Sequence, residues 1–157
     1  MNSIVMDLKS GDNEYLHRDF HISGDIGLEY VGMNYGDNGV REYLVQFTKA
    51  YYKPLFDMYK KDGLSALLEY QRKLYEKEKM PDVFHADLEE DSLTIIIDKC
   101  PAVEFMKAQG RIPSKWHKEL TNTVNMTIAD ELDLGYCLEY YNKEDGACKY
   151  RYFMRKF

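Results

Sequence analysis

The sequence predicts an α+β fold, with N-terminal helices packed on a C-terminal antiparallel sheet of about four strands made of two hairpins separated by helices. Three observations carry this. Up to Pro81 the apolar residues recur at three and four, the helical period. Beyond it they alternate with period two, and Asp145-Gly146 is a strong hairpin signal.

Residues 1–12 are read as a flexible arm or an extra strand, because Ser10, Gly11 and Asp12 break the pattern before Asn13 opens a helix. From Asn13 to about Tyr35 the residues Leu16, Phe20, Gly24, Gly27, Leu28 and Val31 mark one buried face, with Gly36 as C-cap. Asp37 or Asn38 then caps a second helix carrying Val40, Tyr43, Leu44, Phe47, Ala50 and Tyr51, which Pro54 kinks or divides. Leu55 to Lys61 continues helical, Asp62-Gly63 turns, and Leu64, Leu67, Leu68, Gln71, Leu74 and Tyr75 line a further helix stopped by Pro81.

Val83 to Leu88 and Leu93 to Asp98 then alternate as strands about the turn Glu89 to Asp91. Pro101 begins a short helix, and Ser114 caps a longer one with Trp116, Leu120, Val124, Thr127 and Ile128 on one side. Gly135 to Asn142 and Ala147 to Arg155 form the last hairpin, with Cys148, Tyr150, Tyr152 and Met154 on one face. No repeat or linker divides residues 1–157, so one domain is expected.

A net charge of -6 and a pI near 5.2 argue against a phosphate-tracking surface, and no nucleic-acid partner is expected. No apolar run approaches the roughly 18 residues of a membrane span. Three cysteines without a CxxC, and no charged-then-apolar leader pattern, fit a reducing cytoplasm. There is no Walker loop, GxGxxG, GxSxG elbow or zinc-ribbon spacing, so no cofactor is expected.

Three groups of residues could carry chemistry. Cys100 follows a strand and precedes Pro101, which sets its sulfur near a helix N-terminus, where partial positive charge favours the thiolate. His17 and His21 stand at i and i+4 with Asp25 a turn further on; they suit acid/base work beside Cys100, and with Asp25 they are the one set that could hold a metal, though none is expected. Tyr136, Tyr140, Tyr150 and Tyr152, with Asn122 and Asn125 on the neighbouring helix, could read a small polar ligand, while the high β-propensity of Tyr explains the same tyrosines without one.

The segment 92–157, in which Lys99-Cys100-Pro101 closes a strand, a long helix follows, and a hairpin runs through Asp145-Gly146-Ala147-Cys148-Lys149-Tyr150, resembles the L-2-amino-thiazoline-4-carboxylic acid hydrolase family. It also resembles the four-vinyl-reductase-like ligand-binding domains. The resemblance implies an α+β fold around a small-molecule pocket, with Cys100, Pro101 and Cys148 as the residues carried over by motif; from the hydrolases it implies opening of a cyclic amidine at a C–N bond.

Two functions are therefore expected to compete: a cytosolic hydrolase acting on a C–N bond of a small cyclic amidine-like substrate, with Cys100, His17 and His21 as its catalytic residues, or a non-catalytic small-ligand-binding or sensor domain. A homo-oligomer through the aromatic face of the last hairpin is the macromolecular partner the sequence suggests.

Overall fold

In the computed structural model the described residues are 14–156, with side chains from Phe20 onward. The arm or strand expected over residues 1–12, and the side chains of Leu16 and His17, lie outside them. The first helix, α1, runs Glu14–Tyr51 and breaks at Gly36, whose φ of 71° and ψ of -171° no helical residue adopts. The expected boundary there is thus a kink inside one helical run. After it come α2 (Lys53–Asp62), with Pro54 in its first turn, and α3 (Leu64–Lys77), separated by Gly63 at φ 64°.

A 3-10 turn at Pro81–Val83 leads into β1 (Phe84–Leu88), which pairs with β2 (Ser92–Ile97). Next come α4 (Pro101–Ala108), α5 (Lys118–Glu131), β3 (Leu134–Tyr141) and β4 (Cys148–Met154). The sheet is antiparallel throughout, in the order β1-β2-β4-β3, so the second hairpin docks its last strand against β2.

Leu93, Ile95 and Ile97 of β2 and Cys148, Tyr150 and Tyr152 of β4 are buried and join Leu55, Leu67, Val124 and Ile128 of the helices in one core. Thr94, Ile96, Lys149 and Arg151 alternate to the other face and are more exposed. The last hairpin therefore does not present Tyr150 and Tyr152 outward: β4 is an interior strand, and those rings are 3% and 0% exposed.

In α1 the buried line is Asp25, Leu28 and Gly32, then Val40, Leu44 and Thr48. Phe20, Gly24 and Gly27, expected on that line, are exposed instead. Tyr43, Phe47 and Tyr51 also leave the expected core, stacking on one another at the surface with ring centroids 6.5 and 5.2 Å apart. At positions i, i+4 and i+8 these rings satisfy helical periodicity while lying beside the buried line.

Trp116 seats α5 on α1. Its indole N–H donates to Asp37 Oδ1 at 2.8 Å, and its ring covers Gly32, where an added Cβ would stand 2.3 Å from Cε2. Among the described residues no helix is long and apolar enough to cross a membrane.

Candidate functional site

Cys100 is the N-cap of α4, with extended backbone (φ -84°, ψ 123°). Its N–H donates to Asp145 O at 2.8 Å and its carbonyl accepts from Glu104 N at 3.0 Å. Gly146 closes over it from the β3–β4 turn; a Cβ there would lie 2.3 Å from Cys100 Cβ. The second hairpin thus pins the cysteine at the start of the helix.

Asp25 points inward from α1 and is fully buried. A lone buried carboxylate would be prohibitive, and the segment between α4 and α5 supplies its partners. Ser114 donates through N–H at 2.9 Å and through its hydroxyl at 2.9 Å, and Arg111 Nε donates at 3.0 Å. Burial pushes the Asp25 pKa up, but His117, Ser114 and Arg111 together bring it down to about 2.

His117 is buried at the turn entering α5, with Nδ1 3.5 Å from Asp25 Oδ1, a long contact that leaves this nitrogen without a well-formed hydrogen bond. The imidazole also lies within electrostatic reach of the Cys100 side chain. Burial lowers its pKa, yet the interactions with Asp25 and Cys100 outweigh burial and raise it to about 9. Asp25, His117 and Cys100 bring a carboxylate, an imidazole and a thiol from three distant parts of the chain toward one another, the residue types of a cysteine relay.

Between α3, α5 and the sheet lies a cavity of about 140 Å³, lined in part by Tyr52, Tyr70, Gln71, Asn125, Tyr150 and Cys148. Its polar groups are linked. Tyr150 OH donates to Gln71 Oε1, Gln71 Nε2 donates to Tyr152 OH at 3.2 Å and to Asn125 Oδ1 at 3.4 Å, and Tyr152 OH donates to Asn125 Oδ1 at 2.6 Å. Asn125 Nδ2 in turn donates to Thr121 O at 2.7 Å. Burial holds the Tyr150 and Tyr152 phenols well above their usual pKa. Tyr75 and Cys148 line the cavity and lie within electrostatic reach of the Cys100 sulfur; burial first, then Cys100, pushes the Cys148 thiol up to about 12.

The expected site residues are distributed across this geometry. Cys100 and Asp25 meet in the relay, whereas His21 Nε2 pairs with Glu78 Oε1 at 2.8 Å and its ring packs near Phe105. The oxygens of Asp25 face Arg111, Ser114 and His117, and among the described residues no group of three or more His, Cys, Asp or Glu is arranged to hold a metal ion. Asn125 and Tyr150 line the cavity, and Tyr152 completes its network. Asn122 is half-buried on α5 without lining the cavity, and Tyr136 packs its ring against Tyr150 and Tyr152. Tyr140 is 52% exposed because a bulge between Leu138 and Tyr140 reverses the alternation and turns Tyr141 inward in its place.

Arg111, Ser114 and His117 were missed by sequence reasoning. The available signal was Asp25 itself, an acid on the same helical line as Leu28 and Gly32, which required buried donors from elsewhere. Fold and site together define an α+β protein with a buried Asp25–His117 pair, a cysteine at a helix N-cap and a polar cavity. No family model, no curated protein and no solved structure matches the chain.

Proposed function

We propose that the protein is a hydrolase that opens a C–N bond of a small cyclic amidine-like substrate, with Cys100 as nucleophile, His117 as acid/base and Asp25 as the residue that positions and charges the imidazole. The observation that carries this reading is the approach of the buried Asp25 carboxylate to His117, with Cys100 at the N-cap of α4 within electrostatic reach of the imidazole. The resemblance of residues 92–157 to the amino-thiazoline hydrolases supports the reaction type. His21, engaged with Glu78, has no part in it.

The attacking form of a cysteine is its thiolate, which both a helix N-terminus and an adjacent imidazolium stabilise. Sulfur forms a bond to the ring carbon between the nitrogens, and the ring C–N bond breaks with its electron pair leaving on nitrogen. That nitrogen takes the proton held by His117. Water then adds to the sulfur-bound carbon and gives a proton to His117, and the C–S bond breaks to return the thiolate. The net change is one water added across the C–N bond. The Cys100 N–H is spent on Asp145, so polarisation of the reacting carbon's substituent falls to the Ala102 and Val103 N–H groups, which helix geometry leaves without intrahelical acceptors.

Incubation with a panel of cyclic amidines and cyclic amides, read by mass spectrometry for a gain of one water, tests this. Cys100→Ala is expected to abolish turnover, and His117→Gln to lower it by at least about a hundredfold. Full activity in Cys100→Ala would end the reading. The second reading, a non-catalytic ligand-binding domain, is favoured by the internally satisfied Gln71–Asn125–Tyr152 network; it requires a panel member that binds and is recovered unchanged.

A further inference from the structure

β1 lies at one edge of the sheet, with β2 on one side and, among the described residues, no strand on the other. Exposed edges are kept from pairing further by lysine, proline or a bulge. The opposite edge strand, β3, carries a bulge between Leu138 and Tyr140, whereas β1 has none of the three and pairs with β2 in unbroken register. His85, Ala86, Asp87 and Leu88 are all exposed.

The ladder fixes which backbone groups of β1 face outward. Val83 O accepts from Asp98 N–H at 3.0 Å and Glu89 N–H donates to Ser92 O at 2.9 Å, so the odd-numbered residues of β1 exchange their hydrogen bonds with β2. Phe84, Ala86 and Leu88 therefore turn their N–H and C=O groups away from the sheet. Of these groups, Phe84 N–H is spent on Pro81 O.

A second copy laid antiparallel, with Ala86 opposite Ala86, brings the outward groups onto one another. Ala86 N–H meets Ala86 O and Leu88 N–H meets Phe84 O, each twice over by the two-fold symmetry. The same register sets His85 of each copy directly opposite Asp87 of the other, in the closely spaced positions between hydrogen-bonded pairs. Sliding by two residues either way keeps the outward groups facing but opposes His85 to His85 or Asp87 to Asp87, so charge selects the register centred on Ala86. The imidazolium form of His85 donates through Nε2 to Asp98 Oδ2 at 2.7 Å and keeps Nδ1–H for the Asp87 carboxylate of the other copy. Leu88, 42% exposed, falls opposite Phe84 of the second copy, whose ring already packs on Tyr75.

We infer that the chain forms a two-fold dimer by antiparallel pairing of β1 with β1 of a second copy, centred on Ala86, which joins the two four-stranded sheets into one. The contact is short, so the dimer is a weak, exchanging one. It does not depend on the hydrolase reading.

Sedimentation equilibrium of the full chain tests this, with a monomer–dimer equilibrium of Kd about 1–100 μM expected. Ala86→Pro removes an N–H that faces away from β2, so the variant is expected to keep its far-UV circular dichroism and to be monomeric. His85→Glu sets Glu opposite Asp87, and Asp87→Lys sets Lys opposite His85. Each alone is expected to weaken the dimer at least about tenfold, while an equimolar mixture of the two, which pairs Glu with Lys and Asp with His, is expected to restore it. A chain that stays monomeric to about 1 mM overturns the inference. So does a dimer that survives in Ala86→Pro or in both charge variants, or a mixture that associates no better than its components.

Discussion

Asp25 and His117 tie stability to pH through one shared interaction. His117 is raised from 6.5 to about 9, so the stability it contributes is fully present below pH 6.5 and is lost as pH rises through about 9. Asp25 is lowered from 3.8 to about 2, so its share is present above pH 3.8 and is lost as pH falls through about 2. Urea unfolding is expected to give a stability at pH 8, below the range where the buried Cys148 thiol and tyrosine phenols bear on it, about 2 kcal/mol under that at pH 6, and His117→Gln should remove most of that difference. An equal loss in the variant would show that other groups titrate. Asp25→Asn, which leaves His117 without its counter-charge and Arg111 paired with Glu29 alone, should cost about 3–5 kcal/mol at pH 7 by the same measurement. At this scale the place of Cys100 at a helix start was legible, because a Cys before Pro is a local pattern, whereas Asp25 was read only as a possible metal ligand beside the buried stripe. His117 was not, since its value depends on a carboxylate 92 positions earlier that only the tertiary fold brings to it.

The elements deliver these groups through two close approaches. Gly32 lets α1 lie against Trp116, the neighbour of His117, and Gly146 lets the β3–β4 turn lie against Cys100. Gly146→Ala meets both a φ of 71° and a Cβ placed 2.3 Å from Cys100 Cβ. A loss of about 1–3 kcal/mol is expected in thermal unfolding, together with a changed rate of Cys100 alkylation, because the turn that holds the cysteine must retreat. The helices show a different limit of sequence reading. Val40 and Leu44 were placed correctly in the core, but Tyr43 and Phe47 share their apolar character and nearly their angular position, so periodicity alone could not exclude them. Leu44→Ala should therefore cost about 2–5 kcal/mol, whereas Phe47→Ser, on a stacked but 39% exposed ring, should cost under about 1 kcal/mol in the same denaturation experiment. In the sheet, both hairpins were legible from alternation and turn residues. The bulge that exchanges Tyr140 for Tyr141 was not, because it leaves no mark on an aromatic-rich strand.

Across the whole molecule, the change of period at Pro81 was enough to read helices followed by two hairpins, but not the strand order that puts β4 between β2 and β3. That order places the relay at a meeting of separate units: Asp25 from α1, Cys100 from the junction of β2 and α4, held by the second hairpin, and His117 at the entry to α5. The β1–β2 hairpin contributes no side chain to it, and its pairing register does not depend on Asp25. Undocking α1 should consequently loosen one part of the protein before the rest. In hydrogen-exchange mass spectrometry, Asp25→Asn is expected to speed exchange in peptides from residues 25–48 and 111–131, while peptides from β2 and β4, whose interior strands pair on both sides, remain slow. A uniform acceleration across all peptides would mean that the carboxylate supports the global fold, with no distinct docking of α1, and the relay would then be inseparable from the core.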